Sequence, residues 1–442
     1  MSDQPKRPKV IVIDDDPTGS QTVHSCLLLL KWDLETLKQG LKDASPIFFI
    51  LANTRSMTPA EAQKTNQEIC RNLQQALAAT QTEDFLVVSR SDSTLRGHYP
   101  LETDVIAAEL GPFDAHFMVP AFFEAGRITV DSTHYIETDG VRTPVHTTEF
   151  AQDSVFGYGD SYLPAYVEEK TGGTISADRV ERFTRPVLQA GTADRLMALK
   201  DNTCVAVDAL TQSDLDAFSQ ELLSAAAQGK KFLFRSAASL LTSLAALPPQ
   251  PVAAEAMGRY TRNHNPGVVL VGSHVNKTTR QLQHLLQEPT VTGIEVDVSR
   301  LKLDLSAAAD IATEVTAQVQ KLYEQGKTAV VYTSRQELSF DSVSRRLAFG
   351  EAVSQLLMTI VQGLPTGLGF LISKGGITSN DTLSKGLKLT AARLLGQVVP
   401  GVSVVKTDAD HPQFPELPVV LFPGNVGDDG AVTAAYRRMA QL

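Results

Sequence analysis

The chain has 442 residues, 43% hydrophobic and 20% charged, with a formal net charge of −10. That length points to two domains with sizeable cores, and the acidity excludes a general nucleic-acid binder, because a phosphate backbone requires a basic surface. Cys26, Cys70 and Cys204 are far apart and form no CxxC pair, the start MSDQPKRPKV lacks a signal-peptide core, and no apolar run spans a bilayer. The expectation is a soluble, cytoplasmic protein with no membrane or nucleic-acid partner.

In chain order, VIVID, IFFIL, DFLVVS, AHFMVP and CVAVDAL predict strands in the first half, and GVVLVGS, TAVVYTS, LGFLIS and PVVLFPG in the second. Most lead into a Gly- or Ser-rich turn and then a helical period. Continuous apolar strands alternating with helices predict an α/β fold of mostly parallel sheets flanked by helices. Residues 138–173, rich in Gly, Thr, Asp and Tyr, read as an ordered excursion from the first sheet. Residues 247–266 gather prolines and few apolar positions. They read as a linker between a domain over 8–246 and another over 267–442.

Ligands of open α/β sheets bind beyond the carboxyl ends of the strands, so the polar residues there are the candidates. The first strand runs into Asp14, Asp15 and Asp16, followed by Pro17, Thr18 and Gly19. All of these residue types suit a turn, yet a turn needs only one or two of them, and clustered carboxylates require a cation or partners. The cluster points to a magnesium site, a general base, or acceptors for substrate hydroxyls. Asp14, Asp16 and Thr18 also resemble the D-x-D-x-T nucleophile loop of haloacid dehalogenase phosphatases.

In the second half, Gly272-Ser273, Gly375-Gly376 and the turn holding Gly424 and Gly427 each follow a strand. The first nearly matches a P-loop, but Asn276 stands where that motif needs glycine before Lys277. Three such turns, each with backbone amides at a helix start, favour an anion site. No G-x-G-x-x-G with a downstream acid is present, which disfavours NAD. His24, His98 and His146 lack metal-ligand spacing and read as hydrogen-bonding residues. Trp32 reads as packing, and Lys374 as either a phosphate ligand or a solvated lysine.

Together these motifs resemble the four-carbon acid sugar kinase family, long catalogued as a domain of unknown function. Its ADDLTGA-like loop aligns with Asp15, Asp16, Thr18 and Gly19, its T-R-S turn with Thr54-Arg55-Ser56, and its DSTLRG motif with Asp92 to Gly97. Its GS, GGxTS and GNxG turns align with Gly272-Ser273, Gly375 to Ser379 and Gly424 to Gly427. Pro17 replaces the leucine of the first loop, Asp14 precedes it and SQTVH follows the glycine, so the substrate stays open. The resemblance implies an ATP-dependent kinase of acids such as threonate, erythronate or oxo-tetronates, using Mg2+, with its active site in an inter-domain cleft. Asp15 and Asp16 would be the catalytic carboxylates, accepting the hydroxyl proton or orienting the metal. Arg55 and Arg96 would clamp the acid's carboxylate, with Asp15, Asp92, Ser93 and Thr94 completing its site. Ser273, Gly375, Gly376, Ile377, Thr378, Gly424 and Gly427 would contact ATP. An arginine after a strand is otherwise a surface ion pair. Metal ligands stay unassigned, and a homodimer is compatible with the reading. Two alternatives stay open: a phosphatase using Asp14 and Asp16, and a non-catalytic nucleotide-binding regulator.

Overall fold

Runs such as KVIVID and IFFIL are apolar at nearly every position, so both faces of the strand must be covered, which a helix-flanked parallel sheet provides. In the computed structural model, which describes residues 7–442 except 274, 336, 337, 339, 341 and 425, both runs are almost entirely buried. The chain divides into two units, 1–248 and 249–442.

The first unit carries eight parallel strands in the order Leu27–Leu29, Ile47–Leu51, Lys9–Asp14, Phe85–Arg90, Phe232–Ser236, Ala115–Val119, Thr203–Val207 and Glu181–Phe183. From the central strand Lys9–Asp14 the chain first builds to one side and then crosses to the other with Phe85–Arg90. The order therefore reverses between these two strands, and the reversal leaves a crevice at their carboxyl ends. Asp14 lies level with Leu51 on one side and Arg90 on the other, and Arg90 is level with Ser236. The residues that follow these four positions therefore share one edge. Helix Pro59–Thr80 begins with a capping box between Thr58 and Glu61 and a proline in its first turn, which fixes where the chain resumes after the Thr54–Ser56 turn.

The expected excursion is ordered and begins earlier than 138. A three-stranded antiparallel sheet of Arg127–Val130, Thr133–Thr138 and Val141–Pro144 leads to helix Leu163–Lys170.

In the second unit, Val291–Val296, Thr328–Thr333, Val268–Val271, Leu371–Lys374 and Pro418–Phe422 are parallel in that order. A hairpin of Ala391–Val399 and Val402–Lys406 extends this sheet antiparallel. Its order reverses between Val268–Val271 and Leu371–Lys374. Residues 249–266 are not a bare spacer: Met257 is fully buried in this unit's core.

Candidate active site

The reversal point of the first unit gathers charge. Arg55 holds Asp15 with a two-point fork, Nε to Oδ2 at 3.0 Å and Nη2 to Oδ1 at 2.5 Å. Its Nη1 lies 3.4 Å from Asp16 and 3.8 Å from Asp92. Arg90, from the neighbouring strand, lies 3.6 Å from Asp14 and 3.7 Å from Asp15. The repulsion among three consecutive acids is thus met by Arg90 from one flanking strand and by Arg55 from the turn after the other, and the bare turn reading does not describe it.

The three acids differ. Asp14 is 1% exposed, and its Oδ2 is buried without a hydrogen-bond partner. Burial, reinforced by Asp15 and Asp16 and only partly opposed by Arg90, pushes its pKa up to about 8. A protonated, enclosed carboxyl is unsuited to nucleophilic attack, which weighs against the D-x-D-x-T reading. Asp16 is the most exposed of the three, with 20% of its side chain accessible. Burial alone would raise its pKa, but Arg55, Arg90 and hydrogen bonds from the Thr18 amide and hydroxyl hold it below the usual carboxylate range. Asp92 is likewise pulled well down against burial, by Arg55 and then Arg96.

The DSTLRG loop is clamped by its carbonyls. His134 Nε2 meets the Ser93 carbonyl at 2.8 Å, Tyr158 donates to Thr94 at 2.7 Å, and Tyr166 donates to Leu95 at 2.7 Å. Arg235, fully buried, donates to the Leu95 and Arg96 carbonyls at 3.1 Å each. The loop closes on Gly97, whose φ of +118° favours glycine. A Cβ there would stand 3.3 Å from Asp15 Oδ2. Arg96 leaves the loop to bond Asp92 at 2.8 Å. The Thr94 hydroxyl also donates to Asp92, so it orients that acid. His98 lies 3.1 Å from the carbonyls of Thr54 and Met57, and Thr54 donates to the buried Glu102 at 2.5 Å. Burial and then Asp15 push Glu102 up to about 7. The T-R-S and DSTLRGH motifs are therefore one hydrogen-bonded assembly. His24 and His146 are also hydrogen-bonded, to Ser25 and the Pro248 carbonyl and to Ser161 respectively.

In the second unit three turns converge at the reversal point. A Cβ on Gly272 would lie 2.3 Å from Thr378 Oγ1, and one on Gly375 would lie 3.1 Å from Ser273 Cβ and 3.2 Å from Thr378 Oγ1. Thr278 donates to Ser273 Oγ at 3.4 Å and to the Gly424 carbonyl at 3.3 Å. Ser273, Gly375, Thr378 and Gly424 thus surround one place, with Gly376 and the 69% exposed Ile377 at the adjoining helix start. The third turn differs from expectation: its helix begins only at Ala431. Gly427 turns the intervening loop, which Gln281 pins through the carbonyls of Val426 and Asp428. Asn425 of this motif lies outside the described residues. Lys374 is neither solvated nor free for a phosphate, being 0% exposed, bonded to the carbonyls of Pro423 and Gly424 and stacked on Phe422. Burial and then Lys277 lower its pKa to about 7.

Sequence reading overlooked Arg90, Arg235, Glu102 and Arg335. Arg235 sits in FLFRS, a central strand that was not predicted, and the signal was a cation next to a strand's last residue. Arg335 donates to the Ser273 carbonyl at 2.7 Å. Among the described residues, no three His, Cys, Asp or Glu side chains are grouped to hold a metal ion. Magnesium at phosphoryl-transfer sites is commonly held by one or two carboxylates plus the phosphates, a demand these acids can meet.

Residues 10–244 match the model of a sugar-binding N-terminal domain, and residues 268–432 that of a nucleotide-binding C-terminal domain. A D-erythronate kinase of Heliobacterium modesticaldum is 29% identical over 222 residues, 47% of this chain and 46% of that one, so the chain spans about half the length of this relative. A Salmonella typhimurium LT2 structure, provisionally named a tRNA synthase, superposes with a TM-score of 0.71 at 20% identity over 98% of both chains. A Haemophilus influenzae protein from a domain-of-unknown-function family gives 0.64 at 16% identity, over 97% of this chain and 100% of that one. At these identities the two structures bear on the fold alone. No helix among the described residues is long and apolar enough to cross a membrane.

Proposed function

Because the chain belongs to the four-carbon acid sugar kinase family, we propose that it phosphorylates a hydroxyl of a four-carbon sugar acid at the expense of ATP. The observation that carries this reading is the acid and arginine cluster at the first unit's reversal point, where Arg55 and Arg90 bracket Asp14, Asp15 and Asp16.

Asp16, the most exposed of the three acids, orients the acceptor hydroxyl and takes its proton as the bond to phosphorus forms. Its lowered pKa makes it a weak base, which suits a loose transition state that needs positioning more than deprotonation. Asp15 holds Arg55 in place, and Arg55 and Arg96 balance the acid's carboxylate on entry from water. Asp92, with Ser93 beside it, faces the remaining hydroxyls.

In the second unit, Ser273, Thr378 and the glycine turns at 375–376 and 424 would hold the nucleotide's phosphates, with Arg335 adding positive charge. ATP, when bound, supplies the phosphoryl group, and Mg2+ would accompany its phosphates. Such a kinase would work in the cytoplasm, where ATP is available.

Acid-dependent ADP release across a panel of four-carbon sugar acids tests the reading. ADP formation with one or a few of them is expected. Phosphate release without ATP would favour the phosphatase, and ATP binding without acid-dependent turnover would favour a regulator.

A further inference from the structure

Arg127 opens the first strand of the three-stranded excursion, and its backbone is fixed by two hydrogen bonds with Phe122, at 2.9 and 3.0 Å. Its side chain is unusually under-used. Nη1 donates to the Ala125 carbonyl, while Nε is buried with no hydrogen-bond partner. Among the described residues it makes no ion pair, whereas Arg96 beside it bonds Asp92 at 2.8 Å and lies 3.7 Å from Asp153. Both guanidinium groups stand over one ring, Phe150, at 5.0 Å for Arg96 and 6.0 Å for Arg127.

Two like charges on one aromatic ring repel each other, and a ring face attracts a cation without neutralising it. A half-buried guanidinium without a carboxylate is costly unless something anionic completes it. Burial lowers the Arg127 pKa, and the nearby charges, Asp92 before Arg96 and Glu149, do not offset it.

We propose that Arg127 is a specificity-determining residue that binds the carboxylate of the sugar acid together with Arg96, over the floor formed by Phe150. This assignment rests on the sugar-acid kinase reading. It makes the excursion part of the substrate site, and it explains how an acidic protein could select an acid over an uncharged polyol of the same length. A planar carboxylate matches the guanidinium fork, which a lysine cannot reproduce.

The test compares wild type, Arg127→Gln and Arg127→Lys with the best acid of the four-carbon panel and with erythritol, its uncharged analogue. Losing a charge-assisted hydrogen bond should raise KM for the acid about 10–150-fold, with a smaller change in kcat. The acid-over-polyol preference should shrink accordingly, Arg127→Lys should recover part of it, and ATP affinity should stay unchanged. Thermal unfolding of each variant, with and without acid, checks that the protein is folded and reads binding without turnover. Stabilisation by acid in wild type that is lost in a folded Arg127→Gln supports the proposal. An unchanged KM and preference, or equal losses for acid and polyol, overturn it. If Arg127→Gln does not fold, Arg127→Lys decides by the same two outcomes. No acid-dependent ADP release from wild type would instead sink the kinase reading, and this assignment with it.

Discussion

Replacing Arg55 with glutamine removes a guanidinium that three carboxylates share. Asp15 loses a two-point fork, with bonds of 3.0 and 2.5 Å, and Asp16 and Asp92 lose a charge 3.4 and 3.8 Å away. Deleting one partner of a buried ion pair costs about 3–5 kcal/mol. Because 19% of the Arg55 side chain stays exposed, water recovers part of this, leaving about 3 kcal/mol. For a unit of this size that lowers Tm by about 6–12 °C. The loss depends on pH in a defined direction. Asp16 and Asp92 have folded pKa values below the unfolded ones, so their contribution is present above the unfolded carboxylate pKa of about 4 and fades as pH falls below it. The gap between wild type and Arg55→Gln should therefore be widest at pH 7 and narrower at about pH 3, below the unfolded carboxylate pKa. Urea unfolding followed by the fluorescence of Trp32, the chain's single tryptophan and part of the first unit, measures it. An equal loss at both pH values would refute the shared-charge reasoning.

Asp16→Asn should lower kcat about 10²–10⁴-fold with little change in stability, while Asp15→Asn should lower both activity and Tm by releasing Arg55. Full activity in both variants would remove the acid loop from the chemistry. Asp14→Asn should be tolerated and should match or exceed the wild-type Tm at pH 7.5. A carboxyl raised from 3.8 to about 8 opposes folding increasingly through that interval, since the unfolded chain releases a proton that the folded chain retains. A large loss of Tm at pH 7.5, absent at pH 4, would show that the carboxylate itself is required. Gly272→Ala places a methyl 2.3 Å from Thr378 Oγ1, so it should raise KM for ATP about tenfold while leaving acid binding unchanged, as read by separate titrations. Unaltered ATP binding would move the nucleotide away from this turn.

The α/β class was legible because its signal is local: uninterrupted apolar runs cannot belong to a half-solvated sheet. The acid loop, the T-R-S turn and the DSTLRG motif were likewise visible, each standing at a strand's carboxyl end where side chains project beyond the sheet. Strand Phe232–Ser236 and the hairpin at 391–406 escaped because apolar runs broken by Arg, Gly or Gln differ little from neighbouring helical sequence. Tertiary structure alone decided that the Asp14 carboxyl is pushed up and the Asp16 carboxyl held down, since the two differ in burial and in the arginines that reach them, not in anything their local sequence states. It likewise set the fates of two basic side chains. Lys374 is enclosed by the carbonyls of Pro423 and Gly424, from the turn after a strand distant in sequence, and Arg127 is brought beside Arg96 by an antiparallel excursion. Pairing over such separations depends on strand order and register, and a linear pattern carries neither.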